Sequence, residues 1–226
     1  MTQIQATYID HMGSDLSVVN AARVSFGKKH DTFQDKDTGL VKYLAKHKHL
    51  SPFGHAFASF HVKAPIFVAR QLVKHKFLRW NEISRRYVDD EPDFYVPKVW
   101  RGRSADKKQG SEGVVDTGSI TNMGEPYEGD FGKETMTEFI EEESLLLGKF
   151  YERLLKVGVA PEQARMVLPQ STLTEWIWSG SLDAFADMCR LRCASDTQYE
   201  TRVVADQINT EMFKLFPVSW EALLND

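Results

Sequence analysis

From Glu134 to Gly158 the apolar residues Met136, Phe139, Ile140, Leu146, Leu147, Phe150, Leu154 and Leu155 recur at intervals of three and four. That is the period of one helical face, sustained long enough to make this stretch the longest helix of the chain. Helical periodicity returns elsewhere. Asp15 caps a stretch with Leu16, Val19, Ala22 and Phe26 on one face, Thr38 to His47 follows, and Pro65 opens a helix from Ile66 to about Phe77. Pro161 to Arg165, Ser181 to Arg192, Gln198 to Phe216 and a short segment from Pro217 complete the helical set. Strand signals are few: alternation over Gln3 to Ile9, Phe57 to Lys63 and Thr172 to Trp178, where Trp176 and Trp178 point the same way into a core. Few strands among many helices predict an α+β class, with a small, mainly antiparallel sheet covered by long helices.

A length of 226 residues suits one domain, 1–226, or a subunit of something larger. Half of the 14 glycines fall between Arg101 and Lys133, so about 101–133 reads as a loop insertion in that domain. With 42% apolar and 12% aromatic residues the chain can bury a core, which excludes wholesale disorder. A net charge of -4 excludes a simple polybasic nucleic-acid protein. No run approaches the roughly 18 apolar residues of a membrane span, and the start carries no secretory pattern. Cys189 and Cys193, one helical turn apart, read as a buried thiol pair in a reducing, cytoplasmic setting.

The densest polar constellation runs from His61 to Tyr87, where Lys63, Arg70, Lys74, Lys76, Arg79, Arg85 and Arg86 face one acid, Glu82. Such an excess in an acidic protein wants an anion, and its mixture with Trp80, Asn81, Ser84 and Tyr87 suits a phosphorylated, planar ligand. The bland alternative is a solvated basic helix end. A second cluster, Arg190-Leu191-Arg192-Cys193-Ala194-Ser195-Asp196 with Gln198, closes a helix, and Arg165 lies on another. His47, His49, His55 and His61 have irregular spacing for a metal, and none is assigned.

Lys74-His75-Lys76-Phe77-Leu78-Arg79-Trp80-Asn81-Glu82-Ile83-Ser84-Arg85-Arg86-Tyr87 resembles the signature of the flavin-dependent thymidylate synthases, an Arg-His-Arg triplet followed by Asn-Glu-x-Ser-x-Arg-Tyr. Ala21 to Phe26, Ser51 to His55, Phe60 to Gln71, Ala164 to Pro169 and Leu191 to Gln198 resemble further blocks in the family's order. Two departures stand out. Lysines replace both arginines of the triplet, losing the planar fork, while Arg79 adds a guanidinium within the motif. Asp187 stands where the family often has Asn.

The resemblance implies reductive methylation of dUMP to dTMP, with carbon from 5,10-methylenetetrahydrofolate and reducing equivalents from NADPH through FAD. It implies Arg192 as the catalytic group against the pyrimidine, and Gln71, Lys74, Glu82, Ile83, Ser84, Arg85, Arg86 and Arg165 as further dUMP contacts. FAD contacts fall on His49, Ser51, Lys74, His75, Lys76, Glu82, Ser181, Asp183 and Asp187. It also implies a homotetramer with sites at subunit interfaces, and no membrane or nucleic-acid partner. Two other readings are a catalytically impaired family member and a basic module for nucleotides or single-stranded nucleic acid.

Overall fold

The structure, a computed structural model, describes residues 4–105, 110–115 and 135–225. The chain forms two compact units: one from the N-terminal part up to Lys63, Arg70–Glu82 and the part from Glu175, the other from Ala64–Ala69 and Ile83–Thr174.

The first unit is built on a four-stranded sheet. Its strands are β1 (Gln5–Met12), β2 (Phe57–Pro65), β3 (Arg79–Glu82) and β6 (Leu173–Ser181), in the order β1-β2-β6-β3. The β1–β2 and β3–β6 ladders are antiparallel. Alternation decides which face is buried: Ala58, Phe60 and Val62 turn inward from β2, as do Trp176 and Trp178 from β6. Trp80 pairs with Trp178 across the ladder and stacks on Trp176 at 4.3 Å between ring centres. Helix α6 (Leu182–Arg192) lays Phe185 edge-on against Phe60 and Trp178, with centroids 5.4 and 5.5 Å away. Aromatic edges against faces on this scale form the core of the unit.

Helices α1 (Asp15–Arg23), α2 (Asp35–Lys46), α7 (Tyr199–Leu215) and α8 (Pro217–Leu224) complete it. Asp15 accepts from the backbone N–H groups of Val218 and Ser219 at 3.1 and 2.8 Å, tying the start of α1 to that of α8. On α2 the fully buried Asp37 accepts from Arg23 Nη2 at 2.7 Å, from the His30 ring at 3.0 Å and from the Gln34 N–H at 3.0 Å. Burial alone would raise the Asp37 carboxyl, but these hydrogen bonds outweigh it and hold the group at about 2.

In the second unit, α4 (Met136–Lys156) starts at a capping box in which Thr135 and Glu138 satisfy each other's backbone donors. The long helix is where periodicity places it, but its buried stripe is Ser144, Gly148 and Tyr151, while Leu145, Leu146 and Phe150 are exposed. Gly148 eases a close approach: a Cβ there would stand 3.2 Å from the Phe94 ring, which would have to give by a few tenths of an ångström. Phe94 bridges to Thr172, and the Leu173 N–H donates to the Asp93 carbonyl at 2.8 Å. The short helix α5 (Pro161–Ala164) and a 3-10 turn, Arg165–Val167, pack on α4.

Most of the stretch read as a glycine-rich insertion lies outside the described residues. Its described part is more ordered than a loop, since β4 (Arg101–Arg103) and β5 (Ser111–Val114) pair antiparallel. Helix α3 (Ile66–Leu72) also differs from expectation, stopping well short of Phe77. The chain turns instead through Val73 to Leu78, with Phe77 in the left-handed region at φ 64° and its side chain exposed, before entering β3. Among the described residues no helix is long and apolar enough to cross a membrane.

Candidate functional site

The end of α3 and the turn after it carry Gln71, Lys74, His75 and Lys76, and the end of α6 carries Arg192, all in the first unit. The fold brings the last of these to the turn: Arg192 Nε donates to His75 Nε2 at 3.0 Å. A guanidinium has no acceptor, so His75 receives that hydrogen bond with an unprotonated Nε2 and carries its proton on Nδ1. Two effects favour the neutral ring. Burial comes first and the neighbouring Arg192 charge second, and against a small opposing pull from Asp187 they lower His75 from 6.5 to about 4. Burial also shifts the Arg192 guanidinium downward. The contact commits Nε of Arg192 to His75. Lys74 and Lys76 flank His75 and are exposed, so the turn alternates a solvated cation, a half-buried neutral ring and a second cation.

Gln71 sits in a polar chain with the start of α7. Its Oε1 accepts from Thr201 Oγ1 at 3.1 Å, and its Nε2 donates to Gln198 Oε1. Gln198 Nε2 in turn donates to Glu200 at 3.4 Å. The sequence reading names Gln71 and Gln198 but neither Glu200 nor Thr201. Only the adjacency to Gln198 pointed toward them.

A third group lies at the other end of α6. Ser181 precedes that helix and donates from Oγ to Asp183 at 2.5 Å, and the Leu182 N–H donates to the Ala56 carbonyl at 3.1 Å. This second bond joins the start of α6 to the 3-10 turn Ser51–His55 that carries Ser51. His49, just before that turn, lies edge-on to Tyr43 with centroids 6.1 Å apart. Asp187 is held by Arg190, one turn further along α6. Glu82, at the end of β3, accepts from Trp80 Nε1 at 3.1 Å.

The remaining candidates belong to the second unit and form separate local contacts there. Arg86 donates from Nε to Ser84 Oγ at 3.1 Å and lies over the Tyr87 ring at 5.0 Å. Arg85 donates to the Asp90 carbonyl, and Arg165 Nε to the Glu162 carbonyl at 3.3 Å. Ile83 is exposed. In these contacts Ser84 Oγ accepts, while the guanidinium groups of Arg86 and Arg165 donate to a hydroxyl and a carbonyl, neither of which neutralises their charge.

The chemistry of the first unit's set suits a flavin dinucleotide. Exposed ammonium groups at Lys74 and Lys76 match a diphosphate, and the carboxylates Asp183 and Glu82 match hydroxyl or ring N–H donors. Among the described residues no group of three or more His, Cys, Asp or Glu is placed to hold a metal ion.

The family model for thymidylate synthase complementing protein matches residues 7–218. A flavin-dependent thymidylate synthase from Thermus thermophilus is 37% identical over 215 residues, covering 95% of this chain and 73% of that one. One from Kosmotoga olearia is 39% identical over 217 residues, covering 96% and 88%. Among solved structures, the UMP/dUMP methylase PolB from Streptomyces cacaoi bound with 5-Br UMP aligns with a TM-score of 0.80 at 31% identity, covering 100% of this chain and 95% of that one. The same enzyme with 5-Br dUMP aligns equally well, at 32% identity. A family match over residues 7–218, relatives 37–39% identical over nearly the whole chain and a shared fold place the chain in the flavin-dependent thymidylate synthase family.

Proposed function

We propose that this chain converts dUMP to dTMP by reductive methylation. The observation that carries the reading is the Arg192–His75 contact, which fixes a half-buried, permanent cation on a ring that stays neutral at pH 7. Aimed at a uracil, the Nη edge of Arg192 stabilises the negative charge that grows as N3 ionises, and a preorganised donor in a desolvated site is worth far more than one in water. When bound, FAD supplies the hydride after reduction by NADPH, and 5,10-methylenetetrahydrofolate supplies the carbon.

The protein's own groups bind and orient. By resemblance to the family we assign Gln71, Lys74, Arg86 and Arg165 each to dUMP, the cations as partners of its phosphate. Ser84 positions the nucleotide beside Arg86, with Glu82, Ile83 and Arg85 along the same stretch. FAD is held by His49, Ser51, Lys74, His75, Lys76, Glu82, Ser181, Asp183 and Asp187. The Arg190 pairing of Asp187 leaves a carboxylate oxygen for the flavin. We read the working enzyme as a homotetramer with sites shared between subunits, a reading supported by the exposed Phe26, Phe77, Leu146, Phe150 and Met166. The free thiols of Cys189 and Cys193 suit a cytoplasmic setting.

The test is a visible spectrum of the purified protein with FAD, taken anaerobically with NADPH in the presence and absence of dUMP, followed by assay of dTMP. The expected result is a flavin band whose bleaching depends on or is accelerated by dUMP, and dTMP formation that needs the folate. A protein that stays colourless in excess FAD, or that reduces flavin and forms no dTMP, overturns the reading.

A further inference from the structure

Glu200 is a buried carboxylate, 4% exposed, in the first turn of α7, where the positive end of the helix favours its charge. Its Oε2 accepts from Gln198 Nε2 at 3.4 Å. Gln198 therefore presents its NH2 to Glu200, which leaves its Oε1 toward Gln71. Gln71 must answer with its own NH2, and that choice sends its Oε1 to Thr201, which donates from its hydroxyl. Each link removes a freedom. A side-chain amide on its own can turn over by 180° and exchange donor for acceptor at little cost; here the polarity is set by the accepting Glu200 oxygen at the far end.

We propose that Glu200, acting through Gln198 and with Thr201 as the closing donor, is a positioning residue that locks the amide of Gln71 so that its remaining N–H faces the nucleotide. The proposal rests on the assignment of Gln71 to dUMP and deepens it. With the amide turned over, a carbonyl oxygen would confront the same ligand, which for an anionic nucleotide is repulsive where the N–H is attractive. Its two ends are insulated, since Thr201 is completely buried and Glu200 nearly so, while the Gln71 and Gln198 amides between them are half-buried.

The test is steady-state kinetics in dUMP at saturating flavin, on the full-length protein, with dUMP affinity measured in parallel from the flavin spectrum. E200Q keeps the shape and replaces an acceptor-only group by an amide that can present either an acceptor or a donor to Gln198. T201V removes the closing donor at constant volume, and T201S restores it. The expected result is a KM for dUMP raised about fivefold to tenfold in E200Q and T201V, with kcat within about twofold of wild type. T201S should return KM to near the wild-type value, and E200Q should add nothing in a Q71A background. A merely structural role predicts otherwise: it lowers stability and active-site content without selectively weakening dUMP, and it adds to Q71A. Unchanged KM in folded E200Q, or an equal rise with and without Gln71, overturns the proposal. If E200Q does not fold, the T201V and T201S pair decides it by the same criterion. Wild-type protein that neither binds nor methylates dUMP overturns the underlying assignment and the proposal with it, an outcome distinct from active wild type with unresponsive variants.

Discussion

Replacing His75 by Gln removes a titrating ring while keeping an acceptor for Arg192, and it isolates the acid response of the site. In the folded protein the pKa of His75 is lowered to about 4 from 6.5, first because the ring is buried and second because the Arg192 charge lies beside it. Between those values the unfolded chain takes up a proton that the folded chain refuses. Stability therefore rises with pH across this window and falls as the medium is acidified from 6.5 toward 4. At about 1.4 kcal/mol per pH unit the full displacement corresponds to about 3 kcal/mol. The ring is only half buried, so solvent screening reduces this to about 1–2 kcal/mol. For a chain of this size that is about 3–6 °C in Tm. The assay is thermal unfolding of wild type and H75Q across the same pH range, with the ring followed by NMR. Wild type should lose that much more than the variant on acidification, and the ring should remain neutral with its proton on Nδ1. A ring that titrates near 6.5, or parallel pH dependences for the two proteins, refutes the reasoning, because both effects that depress the group would then be absent.

Asp37→Asn leaves Arg23 without its buried counter-charge, and urea unfolding at neutral pH should show a loss of about 3 kcal/mol or more. Since Asp37 is held at about 2 against an ordinary 3.8, its stabilisation is present above 3.8 and should vanish in wild type as pH falls through about 2, a decline absent from D37N. Arg192→Ala should lower kcat by about 100-fold or more while flavin still binds, and Arg192→Lys should recover little, since a point charge cannot hold His75 and a uracil edge together. Lys74→Arg with Lys76→Arg should tighten FAD several-fold in a spectral titration by restoring two planar forks; unchanged or weaker binding would mean that the turn is shaped around ammonium groups.

What the sequence reveals about this molecule follows the range over which each cause acts. The helices whose apolar residues recur every third or fourth position, such as Ser181 to Arg192 and Gln198 to Phe216, are legible because periodicity and caps are local; they form within a residue or two as α6 and α7. The inward alternation of Trp176 and Trp178 is local too, and both are buried. By contrast, nothing within Lys74-His75-Lys76-Phe77-Leu78 says that α3 must stop at Leu72, since each of those residues is acceptable in a helix. The break comes from β3, which exists because Trp80 finds Trp176 and Trp178 on a strand nearly a hundred residues later. A left-handed Phe77 is the backbone cost of delivering Trp80 to that sheet, and the same turn carries His75 to Arg192. The apolar stripe of α4 fails in the opposite sense. Its period is right, yet Leu145, Leu146 and Phe150 face outward, because periodicity reports that a face is to be covered without saying whether this chain or another copy covers it. The site divides along the same line. Motif resemblance carried the residues proposed to meet ligands, whereas Glu200 and Thr201, which touch no proposed ligand, became visible only once the polarity of a hydrogen-bond chain could be followed from one amide to the next. Sequence patterns expose groups chosen for a ligand more readily than groups chosen to hold another residue in one orientation, because the second kind of choice is made by geometry between elements that the chain keeps far apart.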